Sequence, residues 1–177
     1  MNRTSEELLS RALAGDAAAF GALVRDQQRS VYSLALRMLA DRQKAEDLAQ
    51  EVFLRLYRNL SSVGSVAHLA FWLRKVTANA AIDRLRRDAR YEAVPLEEAD
   101  DLPSGDAANA DPLLERRLRQ LLQQLPPAPR AVLLLRYQDD LDPTEIARTL
   151  NMSINTVKSH LKRSLAMLRE SIGETVP

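Results

Sequence analysis

The sequence predicts an all-α fold, two small helical bundles joined by a flexible acidic linker, on three observations. The first is composition: Ala, Leu, Arg and Glu dominate 177 residues that include only five glycines and 5% aromatics, which favours helices over strands. The second is periodicity, because apolar residues recur at helical spacing along most of the chain and no alternating run of any length occurs. The third is an interruption. From residue 91 the strip YEAVPLEEADDLPSGDAANADP carries three prolines and a glycine and has neither periodicity.

Each element follows from local chemistry. Thr4 or Ser5 starts a short helix that ends near Gly15. Asp16 caps the next, where Phe20, Leu23, Val24, Val31, Leu34, Ala35 and Met38 share a face. Asp41 caps a third, with Ala45, Leu48, Val52, Phe53, Leu56 and Leu60 inward. The breaker SSVGSV makes a short polar loop, Ser61 to Ala67, before a fourth helix from about His68 to Asp88. Leu69, Trp72, Leu73, Val76 and Ala80 face its core side, so Trp72 reads as core rather than as a stacking platform.

These helices form a first module, residues 1–90. Residues 91–111 form the linker, whose dispersed apolar content is too low to offset about 1–2 kcal/mol of backbone entropy per residue. The second module is 112–177. Asp111 and Pro112 open its first helix, Pro126 and Pro127 stop it, and another helix spans about Ala128 to Gln138. The stretch from Asp142 to Arg169, DPTEIARTLNMSINTVKSHLKRSLAMLR, then reads as a helix-turn-helix. Asp142 caps a helix with Pro143 at its first position, Asn151 and Met152 make the turn, and Ser153 caps the second helix. Ile154, Val157, Leu161, Leu165 and Leu168 lie on that helix's inner side. Asn155, Thr156, Lys158, Ser159, Lys162 and Arg163 lie outside, with no acid before Glu170, which suits a reader of the DNA major groove.

The net charge of +1 hides a segregation. Residues 1–90 hold 15 Lys and Arg against 10 Asp and Glu, residues 91–115 hold none against 8, and residues 116–177 hold 10 against 6. Two basic blocks therefore flank an acidic strip, and near-neutrality is no argument against nucleic acid. Without cysteine there is no disulfide or thiolate chemistry, and His68 and His160 alone make no usual zinc site. No cofactor and no metal are expected. No membrane span or signal peptide is legible, so no membrane insertion is expected and a cytoplasmic protein is the simplest reading.

Two further patches carry function. In AEDLAQEVFLRLY the buried stripe leaves Asp47, Gln50 and Glu51 outside, an acidic, amide-bearing patch that suits a basic protein surface better than DNA. In the fourth helix, Arg74, Lys75, Arg84, Arg86, Arg87 and Arg90 are opposed only by Asp83 and Asp88 and can neutralise phosphates. Asn79 offers the donor and acceptor that read a base edge.

AEDLAQEVFLRLYRNL, FWLRKVTANAAIDRLRR and LPPAPRAVLLLRYQDDLDPTEIARTLNMSINTVKSHLKRSLAMLR, in this order, strongly resemble the extracytoplasmic-function sigma factors of bacterial RNA polymerase. The resemblance covers nearly the whole chain apart from the linker. It implies sigma domain 2 over 1–90 and sigma domain 4 over 112–177, with core RNA polymerase and promoter DNA as partners and an anti-sigma factor as regulator. It implies that Asp47, Gln50 and Glu51 contact the polymerase clamp. It places Arg74, Lys75, Asn79, Arg84 and Arg87 at the minus-10 element, with the Ser61–Ala67 loop capturing an unstacked base. Arg136, Asn155, Thr156, Lys158, Ser159, Lys162 and Arg163 go to the minus-35 element. Two positions depart from the family pattern: His160 stands where arginine is frequent, and Asp140 where glycine is common.

Two rivals remain at this point. A helix-turn-helix regulator acting without core polymerase requires an N-terminal receiver or ligand domain, for which no α/β pattern exists. A nucleic-acid enzyme would have to use Glu46, Asp47 and Glu51 for a metal, but no histidine, phosphate-cradling loop or nucleophile–base pair accompanies them. The expectation is therefore a non-enzymatic factor.

Overall fold

The computed structural model describes residues 3–91 and 112–173, and every regular element among them is helical. Four helices precede the acidic strip: α1 (Arg3–Leu13), α2 (Ala17–Leu39), α3 (Arg42–Asn59) and α4 (Val66–Tyr91). Four follow: α5 (Pro112–Gln124), α6 (Pro127–Tyr137), α7 (Pro143–Leu150) and α8 (Ile154–Gly173). The flexible linker expected over 91–111 lies outside the described residues, apart from Tyr91.

The caps explain the boundaries. Asp16 Oδ1 accepts from the N–H groups of Ala18 and Ala19, and Asp41 Oδ1 from that of Lys44. Asp142 Oδ1 accepts from Thr144 and Glu145, while Glu145 Oε2 accepts from the Asp142 N–H at 2.8 Å, so α7 opens with a complete capping box. Asn151 ends α7 in the left-handed conformation (φ 52°), and Ser153 Oγ accepts from the Thr156 N–H to start α8. Asp140 is also left-handed (φ 51°), so the turn survives without the family's glycine. Ala40, closing α2 at φ 56° with its N–H donating to the Leu36 carbonyl, is the costly case, since an alanine side chain has no polar group to offset that conformation.

The fourth helix starts at Val66, two residues before its expected start, because the loop is more ordered than its composition suggests. Leu60–Ser62 forms a 3₁₀ turn, Val63 is buried, and Glu6 of α1 accepts from the Val66 N–H. Ile154, expected inward, is 40% exposed in the first turn of α8.

The two bundles share one core. Leu23, Met38, Leu48, Leu56 and Leu69 of the first half belong to the same buried cluster as Leu135, Ile146 and Val157 of the second. A smaller cluster, Leu121, Leu125, Leu133 and Leu168, closes the far side of the second half. Helix α6 packs across α2 and α4, and α7 packs against α4. Arg130 of α6 is the buried strut of this junction. Its Nη1 donates to the Met38 carbonyl at 2.5 Å and its Nη2 to those of Gln123 and Leu125. One guanidinium thus joins the C-terminal ends of α2 and α5, where carbonyls lack intrahelical partners. Burial pushes its pKa down, yet the group stays charged.

Candidate polymerase and nucleic-acid interfaces

The outer face of α8 is built by spacing alone. Asn155, Thr156, Lys158, Ser159, Lys162 and Arg163 are all exposed, while Val157, Ser164 and Leu168 are buried on the other side. At 3.6 residues per turn the six fall within an arc of about 160°. Thr156 is partly committed, since its Oγ1 lies 2.8 Å from Ser153 Oγ in the helix cap. Arg136 is half-buried and donates to the Leu141 carbonyl at 3.1 Å, which fixes the α6–α7 turn rather than leaving its guanidinium free.

Helix α3 divides its predicted patch. Asp47 and Gln50 are exposed, with Asp47 accepting from Gln43 at 3.2 Å. Glu51 turns aside, accepting from Arg84 Nη2 at 2.6 Å and pairing with Arg55. The Arg84 hydrogen bond, helped by Arg55, holds the Glu51 carboxyl below its ordinary range against the opposing effect of burial. Beside Gln50 lies an open apolar groove between α2 and α3, lined by Phe20, Val24, Tyr32, Phe53, Leu54 and Tyr57. Leu54 is 58% exposed and Tyr57 67%, its ring edge-on to Phe20 at 5.2 Å. The sequence reading missed both. Their signal was available: they fall out of step with the stripe Leu48, Val52, Leu56, yet are large and apolar.

Helix α4 carries the basic groove, lined by Trp72, Val76, Asn79, Arg86, Arg87 and Arg90 among others. Trp72 is only half-buried, so besides packing on the core it lines the groove. Lys75 and Arg87 are exposed. The other predicted residues are engaged. Arg84 donates to Glu51 and, at 3.0 Å, to the Lys44 carbonyl. The Asn79 amide donates to the Thr149 carbonyl of α7 at 3.0 Å as well as to its own helix at Lys75. Arg74 Nε stands 3.8 Å from Asp139 Oδ2 in the α6–α7 turn. Arg148 of α7 lies over the Phe71 ring, 5.5 Å from its centroid, and Lys75 lies near the same ring.

Asp139 is mostly buried, and burial raises its pKa while Arg74 and Arg37 pull it down. Among the described residues, the buried side-chain atoms without a hydrogen-bond partner within the protein are Arg130 Nε, Gln138 Oε1 and Asp139 Oδ2. Each belongs to a side chain that also contacts the first half: Arg130 through Met38, Gln138 through Ser33, and Asp139 through Arg74.

Two family models match the chain. The model for sigma-70 region 2 matches residues 23–91, and that for sigma-70 region 4 matches residues 115–168. The chain is 30% identical over 174 residues to the ECF RNA polymerase sigma factor SigW of Bacillus subtilis, covering 90% of this chain and 92% of that one. It is 34% identical over 161 residues to SigE of Mycolicibacterium smegmatis, covering 86% of this chain and 61% of that one. Among solved structures, CnrH in complex with the cytosolic domain of CnrY is similar in fold (TM-score 0.70, 21% identity, 98% of this chain and 99% of that one). So is the sigma factor RpoE in complex with the anti-sigma factor NepR from Bartonella quintana (TM-score 0.73, 19% identity, 89% and 98%).

Proposed function

This chain belongs to the extracytoplasmic-function RNA polymerase sigma factors, and on that premise we propose how its helices share the work of initiation. It is an alternative sigma factor that acts with core RNA polymerase in promoter recognition. We assign residues 1–90 to sigma domain 2, residues 112–177 to sigma domain 4, and residues 91–111 to the connection between them.

In this reading α8 enters the major groove at the minus-35 element. Lys158 and Lys162 anchor phosphates, because an ammonium is a point charge without the planar fork of a guanidinium. Arg163 is the base reader, and Asn155 and Ser159 flank it. Thr156 and Arg136 act mainly by holding the cap and the α6–α7 turn. Helix α4 takes the minus-10 strand, with Asn79 at a base edge and Lys75, Arg74, Arg84 and Arg87 along the backbone. Asp47 and Gln50 face the polymerase, with Leu54 and Tyr57 supplying apolar contact beside them. Glu51 supports that face from behind by ordering Arg84 and Arg55.

The single observation that carries the reading is the one-sided face of α8 behind a capped α7 and a left-handed turn. No catalytic step is assigned; the proposed action is binding. The proposed place of action is the cytoplasm, where core polymerase works. No described helix is long and apolar enough to cross a membrane. A separate anti-sigma protein is the proposed regulator, a reading supported by the NepR-bound structure of the same fold. The test is transcription by core polymerase plus this chain on a promoter library randomised at both elements. Transcripts should come from templates that share two motifs at fixed spacing. A chain that binds a duplex motif but directs no transcription would leave only the polymerase-independent regulator.

A further inference from the structure

Helix α1 carries none of the residues assigned to polymerase or DNA, yet it reaches the loop that opens α4. Glu6 Oε1 accepts from the Val66 N–H at 3.3 Å, across 60 residues of sequence. A second acceptor comes from α4 itself, where His68 Nδ1 takes the Gly64 N–H at 3.3 Å. Ser65 Oγ accepts from the His68 N–H at 3.1 Å and so caps the helix. Packing fixes the ends of this segment, because Val63 and Leu69 are buried. It does not fix the middle: Gly64, Ala67 and His68 are exposed, and a Cβ added at Gly64 would meet nothing within 4 Å. Between the two apolar anchors, side-chain acceptors rather than packing decide the path of the backbone.

The same loop stands at one end of the basic groove. At 3.6 residues per turn, His68, Trp72, Lys75, Asn79, Arg86 and Arg90 fall within an arc of about 60° around α4, and the last five line the groove. Asn79 lies about 16 Å beyond His68 along the axis, so a strand laid on that stripe with a base at Asn79 runs to the loop. The loop, SSVGSVA, has no aromatic ring to stack on a base. Discrimination there falls to backbone and hydroxyl groups, whose positions follow the path of the chain. We propose that Glu6 and His68 are positioning residues for the minus-10 element. They hold the Gly64–Val66 backbone in the path that accepts one base better than the others, and α1 thereby takes part in promoter choice without touching DNA.

This inference rests on reading the Ser61–Ala67 loop as the captor of a minus-10 base, and one experiment separates the two. Exposed hydrogen bonds add little to global stability, and alanine suits both helices, so Glu6→Ala with His68→Ala leaves a folded chain. A second pair, Glu6→Gln with His68→Asn, keeps an acceptor oxygen at each position. A third variant exchanges the Ser61–Ala67 loop. Each is assayed with core polymerase for transcription from a library randomised at both promoter elements. The alanine pair and the loop exchange should lower discrimination at the same minus-10 position at least five-fold. Core affinity and minus-35 preference should stay within two-fold of the parent, and the acceptor-keeping pair should match the parent at every position. Unchanged discrimination in the alanine pair would overturn the proposal, as would an equal loss across both elements or an equal loss in the acceptor-keeping pair. If the loop exchange alters the preference and the alanine pair does not, the positioning role fails alone. If neither alters it, base capture by the loop fails as well.

Discussion

At the residue scale, each functional side chain is defined by what else it touches. Lys158, Lys162 and Arg163 are exposed on one face of α8, a face that helical spacing alone defines. Lys158→Ala and Lys162→Ala should weaken DNA binding on all sequences and reduce the salt slope by about one for each phosphate no longer neutralised. Arg163→Ala should cost about 1–3 kcal/mol at one base position and relax preference there, as measured on a panel of single-base minus-35 variants. Uniform loss across the panel would assign Arg163 to phosphate instead. Arg84, Asn79 and Arg74 were legible as cations and an amide on one helix, but their partners were not. Glu51, Thr149 and Asp139 lie far away in sequence, and a helical pattern carries no information on such pairings.

Glu51 also gives a pH dependence. Its folded pKa is lowered, so its contribution to stability is full above the ordinary glutamate range, about 4.3, and fades as pH falls through the lowered value. Glu51→Gln should therefore flatten the acid limb of a melting-temperature profile in that window and leave the neutral-pH slope unchanged.

At the scale of elements, start signals proved more legible than contacts. Asp16, Asp41, Asp142 and Ser153 each cap the helix expected of them, because a short acceptor at a chain reversal has few other uses. Asp142→Ala should cost about 1 kcal/mol and fray α7, which ought also to loosen α8 on DNA. Ala40 was not foreseen, since nothing in alanine marks a left-handed cap. Ala40→Gly should relieve a backbone cost of about 1–2 kcal/mol, partly offset by glycine's greater freedom in the unfolded chain. A net rise of a few degrees in melting temperature is expected by calorimetry, and a fall would show that Ala40 is not strained. The early start of α4 escaped sequence reading for a different reason. SSVGSV looks like a breaker, but Val63 drops into the core and Glu6 reaches across from α1.

At the scale of the whole molecule, amphipathic spacing says which face of a helix is buried but not against what. The spacing of α2 and α4 marks their apolar faces, yet nothing in it shows that those faces meet α6 and α7 across the division between the bundles. Leu54 and Tyr57 show the complementary limit, because a groove exists only when two helices are placed side by side. In the proposed function, tasks at this scale are separated: α3 for polymerase, α8 for duplex, α4 for the opened strand. Asp47→Lys with Tyr57→Ala should weaken core binding while leaving minus-35 duplex affinity unchanged, as read by titration against each partner.

The most direct test of the whole account is permanganate reactivity of promoter thymines with core polymerase and this chain, read beside minus-35 duplex affinity. The account predicts reactive thymines confined to the minus-10 region, lost with Asn79→Ala while duplex affinity stays the same. Undiminished reactivity in that variant and in one with the Ser61–Ala67 loop exchanged would contradict it.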